Sequence, residues 1–377
     1  MPDILIQCCY HAFMFLMDVL LLYCIWWSRY VSPIRFCVLC CCGGFAAIFL
    51  VILLRGLDGN LAIHGLAWHG TFFLFASAFL MYRQRIDGQP RRLFPSFVLA
   101  FGCIYFGLAV NTLLFEPTAL VVREITLTTP KITKPMTIVF ASDFQTDHVG
   151  RYERWTLQKI KEQNADLILL GGDYTQGRSV DENRRALSDW NQLFREIDLH
   201  APLGTYAVRG TPVHDWDWWR ESFKETAIVP LEETTSESIG EIRITFLSSQ
   251  DSGSKRTFSD GEHEDKFRLI VGHHPHYAMA TQEAELLLAG HTHGGQVQIP
   301  FWGLPIITYS STLPKKWATG TTPMPNGALL IVSHGTGLST GRAAPRVRFH
   351  CRPDFWVIRL EPAITKKKSS AGIESDT

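Results

Sequence analysis

The first 115 residues contain four long apolar stretches, and this feature most limits what the chain can fold into. The stretches are 21 to 24 residues long and occupy residues 4–27, 34–54, 61–82 and 93–115. No lysine occurs in this region, and only eleven of its residues carry a charge. An α-helix needs about 20 apolar residues to cross the hydrocarbon core of a bilayer. The sequence therefore predicts a bundle of four transmembrane helices.

The charges in the short loops between these stretches predict how the bundle is oriented. The second loop contains only Arg55, with Asp58 nearby. Six arginines occupy the first and third loops, namely Arg29, Arg35, Arg83, Arg85, Arg91 and Arg92. Loops rich in arginine and lysine stay in the cytoplasm. We therefore expect the six arginines in the cytoplasm, and both termini with everything after residue 115 on the opposite side.

The residues Asp18, His64 and His69 and most of the cysteines lie inside the apolar stretches. Because Asp18, His64 and His69 are costly to place in hydrocarbon, we expect them to pair with other polar groups or to face a cavity. Eight of the nine cysteines lie before residue 116, where a thiol packs as a small apolar group. Only Cys351 lies beyond, so the C-terminal region needs no internal disulfide.

Beyond residue 135 the chain carries five short polar clusters, each of which follows a short apolar run. The runs are rich in aliphatic residues and end at turn residues, which is typical of buried strands. The clusters occupy residues 142–145, 170–173, 209–215, 271–275 and 288–296. In open α/β sheets, functional groups gather at the carboxyl ends of the strands. We therefore expect the five clusters to be spatial neighbours.

The spacing of the clusters predicts parallel strands. Asp143 and Asp173 are 30 residues apart, which is enough for a strand–helix–strand crossover. Residues 151–164 supply the first crossover helix. A second helix precedes Gly210, with apolar residues at helical spacing: Ala186, Trp190, Leu193, Phe194 and Ile197. Because crossovers of this kind make neighbouring strands parallel, the carboxylates at the strand ends should lie close together.

The last cluster places two histidines one residue apart, within Gly290-His291-Thr292-His293-Gly294-Gly295-Gln296. A glycine-rich turn can direct both imidazoles into the same space, and neutral histidine is the commonest nitrogen ligand for Zn, Mn and Fe. An isolated His-x-His is as often a simple surface turn. With four further polar clusters at neighbouring strand ends, a metal site is the better interpretation.

The order of the clusters resembles the calcineurin-like metallophosphoesterases, and in particular their bacterial membrane-anchored branch. The similarity covers about residues 136–360, and its most specific motif is Gly-His-Thr-His-Gly-Gly-Gln at 290–296. It implies an α/β fold, the calcineurin-like αββα sandwich of two mixed sheets flanked by helices, here preceded by the four-helix transmembrane bundle. Together with the arginine pattern, it implies an integral protein of a bacterial inner membrane with an extracytoplasmic catalytic domain.

The resemblance also implies a centre of two divalent metal ions, Mn, Fe or Zn. Asp173 would bridge the two ions. The residues implied as metal ligands are Asp143, Gln145, Asp173, Thr211, His273, His291 and His293. Two further residues would serve catalysis: His214 would donate a proton to the leaving oxygen, and Asp215 would orient its imidazole.

Two of these positions differ from the family pattern. Where the family has Asp-x-His, Gln145 offers an amide oxygen, as in the similar manganese-dependent ADP-ribose/CDP-alcohol diphosphatases of the superfamily. Where the family has Gly-Asn-His-Asp, this chain has Gly-Thr-Pro-Val-His-Asp at residues 210–215. Two residues are inserted and the asparagine is absent. Either the hydroxyl of Thr211 or a water molecule would take its place.

The implied activity is hydrolysis of a phosphoric ester by metal-activated water. The expected partners are a phosphate-ester substrate, including lipid-linked esters, and the membrane. The formal net charge is zero, so no long-range field favours nucleic acid. Two alternatives remain open. One is a pyrophosphate-linked lipid or UDP-sugar-lipid diphosphatase with a cytoplasmic site, and the other is a catalytically weakened membrane protein that binds metal or phosphate.

These expectations divide the chain into four parts. Residues 1–115 form the transmembrane region, and residues 116–135 form a linker with an edge strand at about 126–133. Residues 136–362 form the metallophosphoesterase domain, which is long enough for one well-buried core. Residues 363–377, which begin near three consecutive lysines, are expected to be a disordered tail.

Overall fold

A computed structural model describes residues 2–53, 59–86, 89–90, 92–146, 148–177, 179–258, 264–298, 300, 313–339 and 346–363. The loop with Arg55 and Asp58, the residue Arg91 and the expected C-terminal tail beyond residue 363 lie outside the described residues. The chain divides into two compact units. The first comprises Met1–Leu120, His293–Thr308 and Gly337–Pro353, and the second Val121–Thr292, Tyr309–Thr336 and Asp354–Thr377. Two segments from the expected catalytic domain therefore belong to the first unit.

The first unit contains the four long apolar helices that the sequence predicts. They are α1 (Pro2–Trp27), α2 (Pro33–Leu53), α3 (Gly59–Tyr82) and α4 (Leu93–Val110). A two-residue antiparallel ladder, β1 (Arg85–Ile86) with β2 (Gln89–Pro90), connects α3 to α4. The chain after α4 stays helical through a π-turn at Asn111–Phe115 and a 3₁₀ turn at Glu116–Thr118.

The outer faces of these helices are apolar. Phe45 is 73% exposed, Phe97 65% and Ile104 63%, although removing such a side chain from water is worth roughly 1.5–3 kcal/mol. Four segments are long and apolar enough to cross a bilayer by length and composition: Leu5–Trp27, Pro33–Leu50, Leu61–Tyr82 and Leu93–Thr118. An apolar solvent around the helices would account for this exposure.

Asp18, His64 and His69 each have a polar partner inside the bundle, as expected from the sequence. His69 Nδ1 lies 2.7 Å from Asp18 Oδ2, and His69 Nε2 lies 3.0 Å from Nδ1 of His11. The indole of Trp68 donates to His64 Nε2 at 2.9 Å. The first two contacts join α1 to α3 and the third lies within α3; all three lower the cost of placing polar groups in an apolar bundle.

The second unit contains two six-stranded sheets. The strands are β3 (Val121–Thr129), β4 (Met136–Ala141), β5 (Leu167–Leu170), β6 (Thr205–Val208), β7 (Ile228–Leu231), β8 (Thr235–Ile239), β9 (Ile242–Phe246), β10 (Phe267–Val271), β11 (Leu286–Ala289), β12 (Gly320–Pro323), β13 (Leu329–Val332) and β14 (Asp354–Pro362). The strand orders are β3-β14-β4-β5-β6-β7 and β12-β13-β11-β10-β9-β8. The edge strand expected near residue 126 begins at Val121.

Both sheets are mixed, which confirms the predicted fold class. Antiparallel pairs join β14 to β4, β12 to β13 and β8 to β9. The strands β4, β5 and β6 are parallel neighbours, as the two crossovers predict. The strands β10 and β11 are parallel as well. Their carboxyl ends therefore gather at a common edge of each sheet.

The main core lies between the two sheets. Phe140 and Leu169 of the first sheet belong to the same buried cluster as Ile244, Leu269 and Leu288 of the second. Three helices follow strands of this unit: α5 (Arg151–Lys161), α6 (Val180–Ile197) and α7 (Ser249–Ser252). Helices thus flank a pair of packed sheets.

Helix α6 shows how local sequence fixes an element of this sandwich. The hydroxyl of Ser179 accepts the N–H of Glu182 at 3.2 Å, a cap worth about 1 kcal/mol. Asp198 ends the helix in a left-handed conformation with φ of 52°. The five apolar residues predicted to form its inner face are all buried. The helix holds β5 and β6 parallel and so positions the residues that follow them.

Candidate metal centre

Two buried aspartates follow neighbouring parallel strands. Asp143 comes after β4 and Asp173 after β5, and their side chains are 0% and 1% exposed. Their backbones are left-handed, with φ of 52° and 59°, which is uncommon for residues other than glycine. The N–H of Asp143 donates to the carbonyl of Gly172 at 2.9 Å. Each tight turn thus directs a carboxylate away from its strand end.

The histidine after β10 has the tautomer that a metal ligand needs. His273 is fully buried, and its Nδ1 lies 2.8 Å from the carbonyl oxygen of Gly171. Because a carbonyl only accepts, Nδ1 carries the proton. Nε2 then faces Asp173 Oδ2 at 3.3 Å and the hydroxyl of Thr211 at 3.2 Å. A backbone partner that fixes the ring in this way is typical of metal-bound histidines.

Gln145 supplies the observation that best tests whether a cation fits. Its Nε2 donates to Asp173 Oδ2 at 2.5 Å. Its Oε1 is buried and has no hydrogen-bond partner among the described residues. A buried acceptor without a donor is costly in a protein interior. A divalent cation would satisfy this oxygen, so the residues present fit a metal ion.

Two overlapping groups of side chains have their ligand atoms within 4.8 Å of one another. The first, the carboxylate–histidine cluster, consists of Asp143, Asp173 and His273, and all three are buried. The second, the histidine cluster, consists of His273, His274 and His291. His291 is tied to the first cluster because its N–H donates to both carboxylate oxygens of Asp143, at 2.8 and 3.0 Å.

The protonation of the carboxylate–histidine cluster reflects its negative charge. Burial raises the pKa of Asp143 to about 7. Burial alone would also raise the pKa of Asp173, but the neighbouring charge of His273 outweighs it and lowers that pKa. Although burial opposes it, the charge of Asp173 raises the pKa of His273 to about 9. Without a cation, a proton on His273 therefore balances the carboxylates.

The partners of Asp215 differ from those expected. Its buried carboxylate accepts three backbone amides, from Asp173 at 2.8 Å, Tyr174 at 2.7 Å and Gly210 at 2.6 Å. Burial, together with the negative charge of Asp173, raises the pKa of Asp215 to about 7. This carboxylate therefore connects the turn after β5 to the turn after β6. The sequence had suggested that it contacts the imidazole of His214 instead.

The inserted residues after Gly210 form a compact turn. The carbonyl of Thr211 accepts the N–H groups of His214 and Asp215 at 2.9 and 2.8 Å. The N–H of Thr211 donates to Asp173 Oδ1 at 2.5 Å. Thr211 therefore remains beside the carboxylate–histidine cluster despite the insertion. His214 is half-buried, and its carbonyl accepts the hydroxyl of Thr175.

His274 is the residue that the sequence interpretation missed. It was not among the ligands expected from the sequence, but its ring centroid is 4.2 Å from that of His291. Burial, together with the charge of His273, lowers the pKa of His274 to about 3, so its imidazole is neutral and able to bind a metal. The doubled histidine after β10 was the signal available in the sequence.

The remaining histidine expected as a ligand, His293, belongs to the first unit. It is buried, and a left-handed turn begins at this residue, where φ is 48°. It follows His291 by two residues, so their Cα atoms are at most about 7.6 Å apart by covalent geometry alone. Eight of the nine expected site residues therefore lie in the second unit, and His293 is two residues along the chain from the last of them.

Gly290 supports a prediction about the turn that carries His291. A Cβ atom there would lie 2.1 Å from both Asp143 Oδ2 and the hydroxyl of Ser142. We expect Gly290→Ala to displace the Asp143 carboxylate and to lower stability by about 1–3 kcal/mol. Metal affinity should fall with it, as measured by titration of the metal-free protein. Gly253→Ala is the matched control, because the nearest atom to a Cβ at Gly253 would be 3.5 Å away. Equal effects of the two substitutions would contradict the explanation by steric displacement of Asp143.

Comparison with known proteins identifies the same region. Residues 136–295 match the family model described as calcineurin-like phosphoesterase. The chain is 26% identical over 245 residues to the uncharacterized metallophosphoesterase YkuE of Bacillus subtilis, an alignment that covers 58% of this chain and 77% of the relative. It is 27% identical over 247 residues to the phosphodiesterase YaeI of Escherichia coli, covering 60% and 82%. An uncharacterized metallophosphoesterase of Helicobacter pylori is 23% identical over 198 residues, covering 48% and 50%.

Proposed function

Because residues 136–295 form a calcineurin-like phosphoesterase domain, we propose that this chain is a membrane-tethered enzyme with a dinuclear metal centre. The domain match supports a metal-dependent hydrolase of phosphoester bonds and agrees with the resemblance seen in the sequence. We propose further that the centre holds two ions, that the residues named below are their ligands, and that the four apolar helices are the membrane tether. The observation that carries it is the carboxylate–histidine cluster with the buried, unpartnered Oε1 of Gln145.

We assign the ligands from the family resemblance and from the contacts above. Asp173 would be shared by the two ions, since Thr211, Gln145 and His273 all contact its carboxylate. The first ion would be held by Asp143, Gln145, Asp173 and His293. The second would be held by Asp173, His273, His291 and Thr211, with His274 as the alternative to Thr211. Carboxylate, amide and imidazole donors together suit Mn, Fe or Zn, and the amide oxygen of Gln145 favours manganese.

The chemistry then divides between the ions and the chain. Two divalent ions, when bound, polarise the phosphoryl oxygens and lower the pKa of an attacking water. Asp143 and Asp173 hold the positive charge at the strand ends, and Gly171 keeps His273 in the required tautomer. His214 donates a proton to the leaving oxygen. Asp215 acts through the backbone amides of the two neighbouring turns rather than on the substrate.

The direct test uses the purified full-length chain after metal removal. We expect hydrolysis of aryl phosphate monoesters or diesters only after a divalent ion such as Mn²⁺ is restored. Hydrolysis confined to lipid diphosphates would instead support the pyrophosphate-lipid alternative. Metal binding without hydrolysis of any of these compounds would support the weakened binding protein.

The tether and its orientation rest on the four apolar helices and on the loop arginines. We propose that residues 1–115 span the membrane, that residues 136–362 form the catalytic domain, and that this domain is extracytoplasmic in a bacterial inner membrane. A C-terminal alkaline phosphatase fusion should then be active in a bacterial host, because that reporter folds only outside the cytoplasm. A cytoplasm-dependent reporter at the same position should be inactive. The reverse pattern would place the site in the cytoplasm and favour the lipid-precursor alternative.

A lipid-linked phosphate ester is a second candidate substrate, favoured by one observation in the first unit. Val297 and Val347 are buried in one cluster with Ala67 of α3, Ala109 of α4 and Leu113. The chain four residues after His293 therefore packs against two candidate membrane spans. A substrate bound beside His293 would then lie close to the lipid headgroups. Comparison of a lipid phosphate in bilayers with its soluble short-chain analogue would decide between the two substrates.

A further inference from the structure

We propose that Glu116, just beyond the last apolar helix, is a positioning residue for the metal ligand His293 and acts on it through Cys351. The inference rests on the proposed dinuclear function, because it concerns one of its ligands. Every contact that carries it lies within the first unit. It means that the turn after α4 helps to hold the backbone of one proposed ligand, His293.

The turn that begins at His293 needs external support. Four successive residues have positive φ: His293 at 48°, Gly294 at 61°, Gly295 at 72° and Gln296 at 55°. Two of them are not glycine, and such conformations persist only where the surroundings hold them. The amide of Gln298 donates to the carbonyl of Gly294 at 3.0 Å. Cys351 supplies a further support.

Cys351 is fully buried and contacts the turn directly. Its Sγ lies 3.2 Å from the carbonyl oxygen of His293 and 3.5 Å from that of Gly294. Since a carbonyl only accepts, the thiol is the donor in both contacts. The position of the thiol thus limits how the His293 backbone can shift, and the imidazole moves with that backbone.

Cys351 is held on both sides of its own peptide. Its N–H donates to Glu116 Oε1 at 2.6 Å, and its carbonyl accepts a guanidinium N–H of Arg348 at 2.9 Å. The backbone N–H of Arg348 donates to the carbonyl of Thr112 at 3.1 Å, in the π-turn that follows α4. The other oxygen of Glu116 accepts the amide of Asn111 at 3.0 Å. Residues 348–351 are therefore fixed to the end of α4.

The test measures metal affinity rather than activity. The full-length protein in detergent is freed of metal and then titrated with Mn²⁺. Glu116→Ala should weaken one of the two Mn²⁺ binding events about tenfold, as loss of an outer partner of a ligand does. Glu116→Gln should restore near-normal affinity, because its side-chain oxygen still accepts the Cys351 N–H. Arg352→Ala is the control: it removes a 2.8 Å contact to the carbonyl of Ala119 and leaves the Glu116–Cys351 hydrogen bond in place, and it should change affinity less than twofold.

A double mutant separates positioning from general loosening. If Glu116 acts through Cys351, the Glu116→Ala/Cys351→Ala protein should bind metal no more weakly than Cys351→Ala alone. Additive losses, or an equal loss in Arg352→Ala, would overturn the proposal. Should Glu116→Ala not fold, a comparison of Cys351→Ser with Cys351→Ala still tests the link from Cys351 to His293, because the serine hydroxyl is a substitute donor; equal affinities of these two proteins would overturn the proposal. Absence of metal binding in the unmodified protein would instead refute the proposed function.

Discussion

Replacing Asp173 with alanine is expected to remove both the bound metal and the activity. The carboxylate is fully buried among Thr211, Gln145 and His273 and is the proposed bridge between the two ions. Its loss should lower kcat by at least roughly a thousandfold, about 4 kcal/mol in the barrier. Elemental analysis of the purified protein should show the metal content falling in parallel.

Asp217→Ala is the matched control for this change. Its side chain is 90% exposed and pairs with Arg209, and an ion pair at such a surface contributes little. Metal content and kcat should both stay near those of the unmodified protein. Full metal retention in Asp173→Ala would exclude the bridging role and with it the dinuclear arrangement.

Replacing His214 with alanine should separate catalysis from metal binding. A proton donor acts in the transition state, so turnover of an alkyl phosphate ester should fall roughly 10²–10⁴-fold while the metal content stays unchanged. An aryl ester with an acidic leaving group needs no protonation, and its turnover should change much less. The ratio of the two rates is therefore the measurement.

His200→Ala provides the control for the His214 experiment, since His200 lies on the surface beside Asp198. Both esters should be hydrolysed at the normal rates. If His214→Ala also leaves the alkyl ester unaffected, the turn built from the inserted residues has moved this imidazole away from the leaving oxygen. Loss of metal in His214→Ala would instead make this residue a ligand.

The secondary structure near the site could be predicted because its signals are local. The apolar face of α6 is encoded within 18 residues, and the parallel order of β4, β5 and β6 follows from the length of the crossovers. The placement of Asp143, Asp173 and His273 at strand ends followed directly. The four long apolar helices were likewise evident, because a run of apolar residues is a property of the sequence alone.

Other features depended on which distant segments meet. The carboxylate of Asp215 appeared suited to orient the adjacent His214, yet three backbone amides from two turns saturate it. The sequence predicts that these two turns are neighbours, but not that their backbone amides reach this carboxylate. His274 joined the histidine cluster for the same reason, since its ring position depends on the turn that carries His291.

The sequence by itself determined the types of ligand, the strands that carry them and the apolar character of the first 115 residues. Each of these depends on the composition and periodicity of short stretches. Only the tertiary structure decided that Glu116, Cys351 and His293 form one connected set, although 235 residues separate the first two. Hydrogen bonds of this kind need a particular backbone geometry at both ends, and that geometry exists only after distant segments have packed together.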